Sequence, residues 1–494
     1  MNERFLRQLW RQQTFVKSLQ STDGKPIQVI HPGIPNLDSG PDFREAIVEI
    51  GHTRYRGEVE IHAENALWHL HKHHLDPRYN TVILHVVMEL GSDEDPPLTE
   101  SGRMLPVLVM SNFLGAPLRT LWRKIIADDR QEKVNLIPCA PKNRNVPAIA
   151  IHRMLLKAGR ERLELKIRRQ HERLRDIIDQ RRFGIGEEQS RYEIEMRSIL
   201  PANIELSLRD YSVLDDWEQL LYEGIAEALG YSKNVVPFLR LSRNLRLRTL
   251  RRIVELSPQF NSLEIIAAAL FGASGFLSDS AETKIMIDLR NELKRLWRCV
   301  EPFYRGTRLQ EVEWTFFRLR PANFPTRRLM ALAVLTDYSL RSGGMLPIMV
   351  RLLKDQKESA PRTRDLIKMA QADHILKELF TKEDKRPLGA YQELATIGKA
   401  RAIDIVVNVF IPTLLLYARI FKDRSLRKGV LSAYGALPKM QNNSISRLME
   451  EQLIRQRFKI ETPFQQQATI QLYKFYCTEQ RCSECEIGRM VVPE

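Results

Sequence analysis

Three stretches between residues 44 and 89 follow the two-residue repeat of a β-strand, and past about residue 145 that repeat gives way to helix after helix. Side chains alternate faces on a strand and recur every 3.6 residues on a helix, so the switch divides the chain into two architectures. "REAIVEI" (44–50) and "YRGEVEIHA" (55–63) alternate about the turn "GHTR", which predicts a hairpin. "TVILHVVME" (81–89) is nearly all apolar, as a strand covered on both faces should be. Phe5, Leu6, Leu9, Trp10 and Val16 recur at helical spacing, "PIQVIHPG" reads as a short strand, "ENALWHLHKHHL" as a helix and "MLPVLVM" as a trailing strand. The expected fold is α+β and multidomain, with an α-β-β-β-α-β mixed sheet followed by a large irregular all-α domain. The expected boundaries are a head at 1–134, a Pro-rich linker at 135–147, a helical domain at 148–476 of a size that splits into two lobes, and a cysteine-bearing tail at 477–494.

Charge follows the same division. Residues 1–100 hold 10 Lys/Arg against 15 Asp/Glu, and the remainder holds 66 against 46, so an acidic head precedes a body of net charge +20. That excess favours a polyanionic partner, DNA or RNA, over an acidic small molecule. The most apolar run, "IVVNVFIPTLLLYA" (405–418), is too short to span a bilayer and reads as a buried helix, so no membrane partner is expected. The charged N-terminal stretch and five cysteines in 494 residues lead to the expectation of a cytoplasmic protein.

The candidate chemistry concentrates in the head, where six of the 11 histidines fall between His62 and His85. Strand parity puts Glu58, Glu60 and His62 on one face and Val59 and Ile61 on the other, with Asp42 just ahead of the preceding strand. Carboxylates and a histidine on adjoining strands suit a hard divalent cation, Mg or Mn, held with open positions for water. Asp42 and Glu60 are the expected ligands and His62 a third ligand or general base, with Glu58 as the alternative register; equally, these carboxylates suit a solvated hairpin edge and a turn. On the following helix His69 and His73, four apart, share a face and could grip a transition metal, and His71 and His74 share the neighbouring face; the alternative is that the helix, His71 included, is a basic, phosphate-facing surface. His85, inside the apolar strand, reads as a hydrogen-bonded core histidine. Near the end, Cys477, Cys482 and Cys485 form a C-x4-C-x2-C run suited to zinc or an iron–sulfur cluster, the fourth ligand to come from Cys139, Cys299 or a histidine. "EWTFFRLRPANFPTRR" (313–328) interleaves aromatics with Arg318, Arg320, Arg327 and Arg328, a pattern that serves either nucleic-acid binding or core packing with capped helix ends.

The element order, with "PDF" at Pro41–Phe43 and "EIH" at Glu60–His62, resembles the restriction-endonuclease-like nuclease superfamily and its PD-(D/E)xK motif, with His62 where that motif has Lys. Over nearly its whole length the chain is also similar to the bacterial family called domain of unknown function 2851. The stretches that carry this are "HPGIPNLDSGPDF", "GEVEIH", "LHKHHLDPRYNTVILHVV", "LFGASGFL", "FRLRPANFPTRR" and "YCTEQRCSECEIG". Asp42, Glu60, His62, His69, His71, Asp76, Tyr79 and His85 match that family's pattern. Asn65-Ala66-Leu67-Trp68 stands where the pattern reads Ser-Ser-Asp-Trp. The first resemblance implies a metal-dependent phosphodiesterase acting on nucleic acid; the second brings no activity with it. Three readings result: such a nuclease, a non-catalytic adaptor for nucleic acid or protein, and a hydrolase with a histidine-rich transition-metal site.

Overall fold

The computed structural model describes residues 3–13, 18–36, 40–91, 95–115, 137–183, 206–231, 233–278, 287–317, 319–354, 359–379 and 394–491. The chain divides into two compact units. One comprises Met1–Leu155, Arg447–Phe458 and Ile470–Glu494, the other Leu156–Ser446 and Lys459–Thr469. The first unit therefore runs past the expected linker and takes in the cysteine tail together with residues 447–458 and 470–476.

In the first unit β1 (Leu19–Gln20), β2 (Pro26–His31), β3 (Ile34–Pro35), β4 (Phe43–Ile50), β5 (Thr53–Glu64), β6 (Val82–Glu89) and β7 (Val107–Val109) build one mixed sheet. Its order is β1-β2-β4-β5-β6-β7, with β3 also on β4. Neighbours are antiparallel up to β5, and β5, β6 and β7 run parallel. The expected hairpin is β4–β5, closed by the pair Ile50 and Thr53 around Gly51 at φ 64°. Helix α1 (Glu3–Gln12) covers one face of the sheet. Its Leu6, Leu9 and Trp10 are fully buried against Phe43, Val59, Ile61, Leu84 and Val86, each contributing roughly 1.5–3 kcal/mol by leaving water. Trp10 Nε1 donates to the Pro32 carbonyl at 2.9 Å, which satisfies its one polar atom.

Pairing between β5 and β6 is offset by one residue: Glu58 faces Val82, but Val59 faces Leu84, leaving Ile83 extra. Ile83 and Leu84 both pack in the α1-side core, whereas Val82 lies with Trp68, Tyr79 and Leu105 on the opposite side. Gly57 makes room for this bulge, because a Cβ there would stand 2.4 Å from Ile83 Cγ2.

The second unit is helical. Its longest helix, α3 (Ala148–Phe183), starts in the first unit's segment, and α4 (Leu214–Gly230) runs through its core with Trp217, Leu221, Ile225 and Leu229 buried. The apolar run lies in a continuous helix over Lys399–Ile420, with a wide π-turn at Val406–Phe410 just before Pro412, which has no N–H to donate back along the helix. Among the described residues this is the one helix long and apolar enough to cross a membrane, and 72% of its apolar window is buried inside the protein. The run is buried as expected, but the helix that holds it extends to 22 residues, so the expectation that it is too short to span does not hold.

Candidate metal centre

The face of the sheet opposite α1 carries the histidines. Glu60 and His62 project from β5 as parity requires, and Glu60 pairs across the strands with His85 on β6. Above them the chain makes only one short helix, α2 (Leu67–Leu70). Lys72 then adopts the left-handed conformation at φ 60° and starts a separate turn at His73–Leu75. Trp68, fully buried, anchors this segment by donating from Nε1 to the Leu98 carbonyl at 2.8 Å. Tyr79 lies over His73 with ring centroids 3.8 Å apart.

Four side chains converge there. His62 Nε2 is 3.3 Å from His71 Nδ1 and 3.4 Å from Glu60 Oε1, and Glu60 Oε1 is 3.5 Å from His73 Nε2. His62, His71 and His73 each offer a ring nitrogen, all within 4.8 Å of one another. Atoms bound at about 2.1 Å to one tetrahedral ion lie about 3.4 Å apart, so the separations of His62 from His71 and from Glu60 suit ligands of one ion, and the three histidines form the set whose nitrogens all lie within 4.8 Å of one another. Glu60, His62 and His73 are buried, whereas His71 is exposed, leaving one side of the cluster open. His73 Nε2 is buried, with Glu60 Oε1 at 3.5 Å and no hydrogen-bond partner among the described residues.

Burial keeps the rings of His62, His73 and His85 uncharged. Burial, then the neighbouring His85, His73 and His71 and the Arg7 guanidinium, push His62 down to about 2. Burial and then His71 bring His73 to about 4, and burial brings His85 to about 3. Neutral imidazole is the form that binds a metal. His62 Nδ1 lies 2.9 Å from His85 Nε2, so His85 fixes the ring with Nε2 facing the cluster.

Asp42 supports the centre from behind. Its backbone N–H donates to Glu60 Oε2 at 2.8 Å, while its own carboxylate is held by Arg7 of α1 at 2.7 Å. Asp42, an expected ligand, thus lies beside Glu60 with its carboxylate paired to Arg7. Arg7 is not foreshadowed in the sequence, since an arginine on an amphipathic helix carries no signal of its partner. Outer residues of this kind tune affinity. Asp42→Ala should weaken divalent metal binding about 10–100-fold with the fold retained, as measured by competition with a chelating dye; unchanged affinity would remove Asp42 from the site.

Other expected residues lie elsewhere. Glu58 is occupied by Thr81 Oγ1 at 2.5 Å and by Arg44 at 3.9 Å, one repeat back along β5. His69 does not pair with His73, because the break at Lys72 ends the helix on which they would share a face. Its Nε2 lies 3.3 Å from the Pro96 carbonyl and its ring rests near His74. His71, assigned from sequence to a phosphate-facing surface, turns toward His62 instead. Of the arginines, Arg320 is exposed, Arg327 half-buried, and Arg328 buried and hydrogen-bonded to Asn323, while Arg318 lies outside the described residues. Trp314 is core, donating to the Ser274 carbonyl at 2.9 Å. These placements break up the interleaved stripe. Cys477, Cys482 and Cys485 lie in the first unit, as does Cys139, and Cys299 is exposed in the second.

The family model described as protein of unknown function (DUF2851) matches residues 3–180 and 203–443. The chain belongs to this family. The match takes in Arg7, Asp42, Glu60 and every histidine of the cluster. No curated protein and no solved structure matches the chain. In this DUF2851 chain the candidate site rests on the geometry of Glu60, His62, His71 and His73.

Proposed function

We propose that the first unit of this DUF2851 protein is a metal-dependent phosphodiesterase whose ion is a divalent transition metal held by Glu60, His62, His71 and His73. The convergence of His62 Nε2 with His71 Nδ1 at 3.3 Å and Glu60 Oε1 at 3.4 Å carries this reading. Three imidazoles and one carboxylate favour zinc, manganese or iron over magnesium, which prefers oxygen ligands and retained water. Bound there, such an ion would acidify a water molecule and polarise a phosphoryl oxygen. The protein's part is to hold His62 and His73 neutral, fix His62 through His85, and orient Glu60 through the Asp42 N–H. The exposed side at His71 gives the substrate its approach.

Descent from a restriction-endonuclease-like head is supported by three placements. Asp42 immediately precedes β4, Glu60-Ile61-His62 lies on its antiparallel partner β5, and β6 returns parallel to β5. His62 in place of the motif's Lys is what moves the ion from hard to borderline chemistry. Nucleic acid is the substrate class favoured by the net charge of +20 beyond residue 100. Purified protein should carry about one transition ion per chain at this centre and cut DNA or RNA. Chelation should abolish cutting, and one of zinc, manganese or iron should restore it. Salt-sensitive binding without cleavage under every metal would instead leave a nucleic-acid adaptor.

A further inference from the structure

Glu58 sits between two irregularities of the sheet. On one side β4 carries two residues, Arg44 and Glu45, between the pairs Phe43–Val59 and Ala46–Gly57, where β5 carries Glu58 alone. On the other side β6 has Ile83 extra between the partners of Glu58 and Val59. Glu45 absorbs the first irregularity at φ 56°, a left-handed conformation uncommon outside glycine. Bulges re-aim side chains and gather beside binding sites, and backbone strain held in place by its surroundings points the same way.

A cavity of about 590 Å³ opens at this double bulge, within the range of small-molecule sites. Pro35 of β3 and Gly57 give it apolar walls, and Arg44, Arg56, Glu58 and Thr81 supply polar ones. Its charges oppose one another. Arg56 is shared between Glu45 at 3.7 Å and Glu479 at 3.3 Å, and Glu45 is also held by Lys474. Thr81 Oγ1 donates to Glu58 Oε2 at 2.5 Å, while Glu58 Oε1 lies 3.9 Å from Arg44 Nε. That gap is too long for a hydrogen bond, and Arg44 Nε is buried with no hydrogen-bond partner among the described residues. A phosphate placed here would meet the carboxylates of Glu45 and Glu58 as well as the arginines. A neutral group that accepts from Nε and donates to Oε1 satisfies both atoms.

We propose that this cavity binds a nucleobase bearing an exocyclic amino group, with a ring acceptor facing Arg44 Nε and the amino group donating to Glu58 Oε1. Adenine, cytosine and guanine each carry an amino donor next to a ring acceptor. Uracil has no amino group, and its one edge donor is flanked by two carbonyl oxygens, the second of which would meet the carboxylate. Glu58 lies opposite Val82, on the side of the sheet that carries Trp68 and the histidines. It is two residues, about 7 Å, along β5 from Glu60. A nucleotide seated here presents its neighbouring phosphate to the histidine cluster. That role rests on the phosphodiesterase reading; binding of the base does not.

The full chain in excess chelator tests the binding with no ion and no cleavage involved. In calorimetric titrations at least one of adenosine, cytidine and guanosine should bind about tenfold or more tightly than uridine, the discrimination that one good edge contact supplies. Inorganic phosphate should not displace it. Arg44→Ala should weaken this binding about tenfold or more, whereas His71→Ala should keep it. In the wild-type protein the bound nucleoside should shield Arg44 from phenylglyoxal, read by mass spectrometry, while the exposed Arg320 reacts as before, so the test stands even if Arg44→Ala fails to fold. No binding by any of the three, uridine binding as tightly as the best of them, full binding in Arg44→Ala or an unshielded Arg44 would each overturn the proposal. Displacement by inorganic phosphate would overturn it in favour of an anion site. Absence of nucleic-acid cleavage under every metal bears on the phosphodiesterase reading alone.

Discussion

His62→Ala should yield protein without its transition ion and without cleavage of any nucleic acid. His62 is the hub of the cluster: Nε2 faces both His71 and Glu60, and Nδ1 rests on His85. Removing the ring deletes a ligand outright, so the loss of affinity should exceed the roughly 10–100-fold expected for an outer neighbour such as Asp42. Because His62 is buried, its replacement also leaves His85 Nε2 facing a void. The exposed His71 therefore provides the cleaner companion: His71→Ala should fold as wild type and still lose metal. His69→Ala, whose ring is turned to Pro96, should keep it. Elemental analysis of the three variants beside the wild type decides the matter, and a full complement of ion in His62→Ala and His71→Ala would sink the assignment.

The second large effect is one of stability. Glu218→Ala should weaken the helical unit by about 3–5 kcal/mol, measured by urea unfolding followed through far-UV circular dichroism. Glu218 lies on α4 at 3% exposure and accepts three hydrogen bonds: from Ser339 Oγ at 2.8 Å, the Met345 N–H at 3.0 Å and the Leu346 N–H at 2.8 Å. The last two are first-turn donors of the helix Met345–Lys354, so a buried carboxylate from one helix caps another. Burial pushes its pKa up and the three donors oppose that shift. Alanine would orphan all three donors at once. Gly344, at φ 111°, admits the cap, since a Cβ there would meet Glu218 Oε1 at 2.7 Å. Glu218→Gln keeps the shape and one acceptor, so it should lose less than half as much. An alanine variant within 1 kcal/mol of wild type would mean water replaces the carboxylate.

What could be read in the sequence was what local periodicity controls. Alternation placed β4, β5 and the face shared by Glu60 and His62, and helical spacing placed a helix at Phe5, Leu6, Leu9 and Trp10, with Val16 outside the described residues. What failed was arithmetic across a break. A continuous helix would have paired His69 with His73, but one left-handed residue, Lys72, restarts the chain and brings in His71 instead. Long-range partners were equally hidden. Nothing near Arg7 announces Asp42. The arginines at 320, 327 and 328 look alike as letters and differ in burial, which only packing decides.

The extra residue in β6 makes the chemistry of the sheet a matter of counting. Val82 and His85 are three positions apart, an odd interval that would send them to opposite sides of a regular strand, yet both face Trp68's side because Ile83 consumes one step. Shortening the strand by that single residue would keep every histidine in the chain and still exchange His85 with its apolar neighbours. The same composition would then put an imidazole against α1 and a leucine behind His62. Insertion and deletion, more than substitution, are the changes to which this centre is most exposed, and Gly57 marks the place where its phase is set.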